Sequence, residues 1–310
     1  MAGLAVKQRI LVLGSEHFVG TRVSRALSES DWADPIAFSG TPSSLSGETL
    51  AGVQAVFNGT MGSPAAILSN ARALYGTLAR LDSDVRVVHL SSMTVYGSLV
   101  GEAPEPTATR ADLGPYGAAH IEAESLASRY ARSVTLRPGC EYGPHCPQWS
   151  ERIARLLCAH RLGDLGAAGD GVCNLLFIGD LVIAILACLR APDIDGHCFN
   201  LAMRSPPTWN EYFEQFGRAL GAVPIARIGG RRLKIETRMW APPLKAAEML
   251  AQRLHGRTRA IPPPITPSLI NLCGQDITLN VDKAERALAV GWTPLREGLR
   301  QAAAAFHALQ

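Results

Sequence analysis

Short apolar runs that each stop on a small or polar residue, with helix-length segments between them, govern what this chain can fold into. Ile10-Leu11-Val12-Leu13 stops at Gly14, and Val53 to Phe57 stops at Asn58. Val85 to Leu90 stops at Ser91, and Val134-Thr135-Leu136-Arg137 is closed by Pro138 and Gly139. Runs that stay apolar instead of alternating suit strands buried on both faces, as in a parallel sheet. Pro35-Ile36-Ala37-Phe38 reads as one more strand. Helical segments are expected over Phe18 to Leu27, Ala65 to Leu81 and Tyr116 to Tyr130. Strands and helices alternating at these intervals predict βαβ units and an α/β, doubly wound parallel sheet. Ligands of such sheets lie beyond the carboxyl ends of the strands. Gly14, Asn58, Ser91 and Gly139 therefore converge on one crevice.

Beyond Gly139 the pattern is mixed. Leu175-Leu176-Phe177-Ile178 runs into Gly179-Asp180, where Asp180 reads as the cap of an apolar helix from Leu181 to Leu189. Trp209 to Leu220 is an amphipathic helix, and Lys283 to Val290 a short final one. Arg227 to Pro267 is a long segment holding Pro262-Pro263-Pro264. Residues 1–174 are expected to form a Rossmann-like domain. Residues 175–310 would supply a smaller substrate-binding region, with some segments returning to the first domain.

The chain has 310 residues and a net charge of +3, enough for one large and one small unit. Its seven cysteines include no CxxC pair, and their odd count fits a reduced, cytoplasmic compartment. His145 and Cys146 are adjacent, but no second pair stands at zinc-ligand spacing, so no metal is expected. No apolar run is long enough for a membrane span.

Gly14-Ser15-Glu16-His17-Phe18-Val19-Gly20 joins the first strand to the first helix. Gly14 suits the tight turn, Gly20 permits close helix-strand packing, and the amides opening the helix can face a pyrophosphate. The second strand leads from Phe38 into Ser39-Gly40-Thr41-Pro42-Ser43-Ser44, with no charge of either sign to select between the two ribose forms of a dinucleotide. Phe38 to Val53 is also too short for a full helix and another strand.

Polar chemistry gathers after the fourth strand. Ser91-Ser92 stands in Leu90-Ser91-Ser92-Met93-Thr94-Val95-Tyr96-Gly97, and Tyr116 opens a helix on which His120 lies one turn further. The i,i+4 spacing puts Tyr116 and His120 on one face. A serine hydroxyl can orient a substrate oxygen, and a tyrosine can pass a proton to or from it. This set suits acid-base chemistry at a carbinol or carbonyl. The alternatives are a strand-end cap for Ser92, a structural tyrosine at Tyr116 and a surface histidine at His120.

Taken together, these segments resemble the extended short-chain dehydrogenase/reductase family, also called the NAD-dependent epimerase/dehydratase family. Its members commonly carry a GxxGxxG turn, Ser-Ser-x-x-Val-Tyr-Gly and then Tyr-x-x-x-Lys. Arg137-Pro138-Gly139-Cys140-Glu141-Tyr142-Gly143-Pro144 resembles its RPxxxYGP segment. Phe177-Ile178-Gly179-Asp180-Leu181 and Gly291-Trp292-Thr293-Pro294 resemble two later segments, so the likeness spans the chain. His17 replaces the middle glycine, and His120 stands where the lysine belongs. No lysine occurs between Lys7 and Lys234 to compensate.

The resemblance implies an NAD(P)-dependent oxidoreductase or epimerase acting on a secondary alcohol or ketone. Ser92, Tyr116 and His120 would be catalytic. Gly14, His17, Phe18, Gly20, Asn58, Tyr116 and His120 would hold NAD or NADP. Tyr96 and Tyr142 would line or underlie the crevice. It also implies a homodimer built on the helices Ala65–Leu81 and Tyr116–Tyr130, with Ala73, Leu74, Ala123, Leu126 and Ala127 offering contacts. Two alternatives stay open at this stage. One is a non-redox isomerase, dehydratase or cyclase using Tyr116 and His120, and the other is a non-catalytic binding protein.

From Arg218 to Arg259 ten basic residues face only Glu236 and Glu248. They are Arg218, Arg227, Arg231, Arg232, Lys234, Arg238, Lys245, Arg253, Arg257 and Arg259, with Met239 and Trp240 adding apolar surface. Such a field could draw a small-molecule substrate bearing a phosphate-containing or carrier group, the alternative being a solvated arginine-rich face. No nucleic-acid-binding element accompanies it.

Overall fold

A computed structural model describes residues 7–38, 40, 44–253 and 261–309. Ser39, Thr41, Pro42, Ser43, Arg257, Arg259 and the side chain of Arg253 lie outside what is described. Two compact units emerge. The first holds Met1–Gly139, Ile178–Arg204 and Leu279–Trp292; the second holds Cys140–Phe177, Ser205–Thr278 and Thr293–Gln310. The boundary thus falls at Gly139 and not at 174, and the returning segments are 178–204 and 279–292.

The first unit is a six-stranded parallel sheet. Its strands are β1 (Gln8–Leu13), β2 (Ala33–Phe38), β3 (Ala55–Asn58), β4 (Arg86–Leu90), β5 (Ser133–Pro138) and β6 (Cys198–Leu201). They lie in the order β2-β1-β3-β4-β5-β6. Every residue of β3 and β4 is buried, as continuous apolar runs require of central strands. Pro35, which lacks an amide to give to a ladder, sits on the edge strand β2, paired in register with Ile10. Between Phe38 and β3 the described chain forms only a short helix, Gly47–Leu50, capped by Ser46. Among the described residues no strand lies outside β2, so the sheet is short on that side.

Its principal helices are α1 (Phe18–Ser28), α2 (Pro64–Arg80), α3 (Pro115–Ala127) and α4 (Ile178–Arg190). α1 packs against α4, and α2 against α3. α2 begins with Ser63, whose side chain caps the Ala66 amide, followed by Pro64 at its first position. Its inner face, Ile67, Ala71, Leu74, Tyr75 and Leu78, recurs at helical spacing and is buried. α3 presents Ala119, Ala123 and Ala127 to the same core, which Leu11, Val56 and Val87 complete from the strands. Leu74, Ala123 and Ala127 are therefore consumed by this core and do not offer the dimer contacts expected of them. Ala73 and Leu126 remain half-buried. α4 starts at Ile178, so Asp180 lies in its first turn and not at its cap.

In the second unit, Cys140–Tyr142 pairs in parallel with Leu175–Phe177. The Trp209–Ala219 helix is closed by a full capping box between Thr208 and Glu211. Its aromatic face, Trp209, Tyr212, Phe213 and Phe216, is buried. Part of the segment from Arg227 to Pro267 is helical, over Gly230–Arg253.

Candidate functional site

Because all six strands run parallel, the ends of β1, β3 and β4 open on one edge of the sheet. The glycine turn sits there. Gly14 has φ +75°, and a Cβ on it would stand 2.7 Å from the Gly59 carbonyl oxygen. A Cβ on Gly20 would come to 2.0 Å from the Gly14 carbonyl oxygen, so only glycine lets α1 close on β1. His17 precedes α1 with φ −82°, an ordinary extended conformation. The middle place of the turn therefore demands no glycine, and histidine is accommodated without backbone strain. Its ring lies 3.3 Å from the Glu16 carboxylate.

A cleft of about 680 Å³ opens beside this turn, bounded by Gly14, Ser15, Glu16, His17, Phe38 and Leu45, with Thr60 to Asn70 on its other side. Among the described residues neither lysine nor arginine lines it. Phe18, Gly20 and Asn58 are not in the lining. The Phe18 ring is covered by the Arg22 guanidinium at 3.8 Å. Asn58 is buried, with its side-chain nitrogen 3.1 Å from His89 Nδ1, and it accepts a long bond from the Thr60 amide.

Ser92, Tyr116 and His120 lie outside that lining, on the neighbouring stretch of the same edge. Ser92 ends the loop after β4 and caps the turn Met93–Tyr96, accepting from the Thr94 amide at 3.2 Å. α3 rests on this turn through Gly117, where a Cβ would meet the Thr94 carbonyl oxygen at 2.7 Å. That close approach fixes Tyr116 and His120 beside the Ser92 loop. The two rings meet edge-on with centroids 4.7 Å apart. His120 is 3% exposed, and neither ring nitrogen finds a hydrogen-bond partner among the described residues. Burial pulls its pKa down to about 4, against the attraction of Glu124. His120 is thus neutral at ordinary pH, and the protonated, lysine-like role is not available to it.

Several participants were not legible as site residues. His89, on β4, is also drawn down to about 4, first by burial, with Glu124 opposing and His120 adding to the fall. Its Nε2 has no hydrogen-bond partner among the described residues. Glu124 follows His120 by four residues and is clasped by Arg137 through two bonds of 2.9 and 2.6 Å. It also accepts from the Ser91 hydroxyl at 2.5 Å. Arg137 donates onward to the Tyr96 hydroxyl, which donates to Asn200 at 2.7 Å. Burial pushes that tyrosine up to about 12, so Tyr96 keeps its proton and its hydroxyl is held between Arg137 and Asn200. The signal for this network was a polar residue inside an apolar strand, His89, and a glutamate in phase with Tyr116 and His120.

Tyr142 belongs to the second unit, where it packs on Phe177 and against Gly298. In the basic segment, Arg218 pairs with Glu214 and Arg227 lies 3.8 Å from Asp164. Among the described residues no three His, Cys, Asp or Glu side chains gather as a metal site. No described helix is long and apolar enough to cross a membrane.

Comparison with known proteins follows the same lines. Residues 49–202 match the family model described as the NAD dependent epimerase/dehydratase family. No curated protein matches the chain. Among solved structures, MoeE5 in complex with UDP-glucose and NAD superposes with a TM-score of 0.72 at 19% identity, covering 97% of this chain and 100% of that one. UDP-glucuronic acid 4-epimerase from Bacillus cereus, in complex with NAD, gives 0.72 at 15% identity, covering 97% and 99%. RMD from Pseudomonas aeruginosa, complexed with NADPH, gives 0.69 at 16%, covering 97% and 100%. At these identities the likeness is one of fold.

Proposed function

We propose that this chain, a divergent member of the NAD dependent epimerase/dehydratase family, is a dinucleotide-dependent oxidoreductase or epimerase acting on a secondary alcohol or ketone. One observation carries the reading. Tyr116 is locked against a buried histidine whose two ring nitrogens have no partner among the described residues. An orphaned buried polar atom is costly unless a ligand or water satisfies it. A dinucleotide ribose, rich in hydroxyls, matches that need. The Gly14 cradle and the cleft beside it fit the other half of such a cofactor.

The residues that would hold NAD or NADP are then Gly14, His17, Tyr116 and His120. Phe18, Gly20 and Asn58 shape the turn and the strand end behind them. When bound, the cofactor supplies a hydride acceptor or donor. Ser92 orients the substrate oxygen, and the Tyr116 hydroxyl gives or takes the proton at that oxygen. The neutral His120 ring fixes the tyrosine by contact and hydrogen-bonds the ribose, and it contributes no positive charge. Glu124 and Arg137 hold the floor of the site rigid. The substrate is a small molecule bearing a phosphate-containing or carrier group. The chain acts as a cytoplasmic homodimer through the outer faces of α2 and α3.

A non-redox reading draws on a different observation. Among the described residues the cleft carries Glu16 and no lysine or arginine, which is poor company for a pyrophosphate. Tyr116 and His120 would then serve isomerisation or dehydration alone. Following nicotinamide absorbance over a panel of ketones and secondary alcohols separates the two. We expect dinucleotide-linked turnover that falls about 10²- to 10⁴-fold in Tyr116→Phe with the fold intact. A Tyr116→Phe protein at full rate overturns the assignment.

A further inference from the structure

A helix in the second unit turns an apolar and basic side to solvent. It runs over Gly230–Ile235, through a wide turn at Glu236–Trp240, and on over Ala241–Arg253. The wide turn comes just before Pro242-Pro243, where a regular helical ladder would lack two amide donors. Leu233, Glu236 and Ala241 form its buried side. On the other side Ile235, Met239, Trp240, Met249 and Leu250 are 46%, 68%, 57%, 49% and 59% exposed. Scattered apolar residues on a surface are ordinary, but five large ones on one helix mark a contact surface.

Charge says what covers it. Arg231, Lys234 and Arg238 are all exposed on the first half of the helix, while Lys245 lines a cleft with Glu151 and Glu248. The helix's two acids do not offset the exposed cations at the surface. Glu236 is buried and held by Arg161, and Glu248 is half-buried in a cleft it shares with Arg152. The outward side therefore combines cations with tryptophan, methionine and leucine. A purely acidic surface would answer the cations and leave those side chains without an apolar partner. An anionic bilayer answers both, with phosphates at the headgroup level and an acyl boundary just beneath.

We propose that the helix Gly230–Arg253 is a membrane-surface anchor that lays this chain on anionic lipid without spanning it. The anchor is independent of the dinucleotide reading and stands or falls separately.

Flotation of the full chain with vesicles tests it. Pure phosphatidylcholine is compared with phosphatidylcholine carrying about 30 mol% phosphatidylglycerol. We expect association about tenfold stronger with the anionic vesicles, weakening as salt rises from about 0.1 M to about 0.5 M. Lys234→Glu with Arg238→Glu, and separately Met239→Ser with Trp240→Ser, should each abolish it. All four positions are exposed, so circular dichroism should show the fold unchanged. Vesicles should also shift the tryptophan emission to the blue, and Trp240→Phe should remove that shift. No association of the unmodified chain with anionic vesicles, or association undiminished in both double variants, overturns the proposal. So does a Met239→Ser, Trp240→Ser protein that merely changes from dimer to monomer, since the face would then belong to a second copy.

Discussion

At the residue scale, His120 has the geometry of a retained position and the electrostatics of a changed one. Burial holds both His120 and His89 near a pKa of 4, well below the ordinary histidine value. An unfolded chain takes up these two protons as pH falls through about 6.5, while the folded chain refuses them until about 4. The stability that neutral burial contributes is therefore complete above about pH 6.5 and is lost between there and about 4. Denaturant midpoints measured from pH 8 downward to about 4.5 should fall, and His120→Leu should flatten the slope. An unchanged slope in that variant would place the proton uptake elsewhere. Catalysis should show no break near the ordinary histidine pKa, in contrast to the expectation for a protonated His120.

At the scale of elements, the close approach of α3 to the Met93–Tyr96 turn is what assembles the site. A mid-helix Gly→Ala change ordinarily stabilises by about 0.5–1 kcal/mol. At Gly117 the added methyl would meet the Thr94 carbonyl oxygen at 2.7 Å. Gly117→Ala should therefore lower the melting temperature and depress turnover together, whereas a rise in stability would show that α3 is free to shift. Breaking the nearly buried Arg137–Glu124 pair with Glu124→Gln should cost about 3–5 kcal/mol, measured by denaturant titration.

These elements also show what a sequence discloses. β1, β3 and β4 were legible because strands covered on both faces must be apolar throughout. The Arg137–Glu124 clasp was not, since either residue alone reads as solvated surface and only the fold brings them together. The helix Gly230–Arg253 was hidden by Pro242-Pro243, a breaker signal that the wide turn absorbs. The contact of Tyr116 with His120 was legible from spacing, but the charge state of His120 depends on burial that spacing does not encode.

At the scale of the whole molecule, the dimer expected from the family likeness must use surfaces other than those first expected. Leu74, Ala123 and Ala127 are in the core. The outer face of α2 instead offers Ala65, Gly76 and Ala79, all exposed, with open space beside Gly76. Sedimentation at micromolar concentration should give a dimer, and Gly76→Glu should return it to a single chain of 33.1 kDa. A single chain before mutation would remove the homodimer from the account. The central claim is that Tyr116 and the unsatisfied His120 ring receive a dinucleotide. Isothermal titration of the intact chain with NAD, NADH, NADP and NADPH tests it most directly. One of the four should saturate the protein at one site per chain, with affinity altered at least about threefold in His120→Lys and His120→Ala. No heat from any of them at about 1 mM, the level expected of a weak but real site, would contradict it.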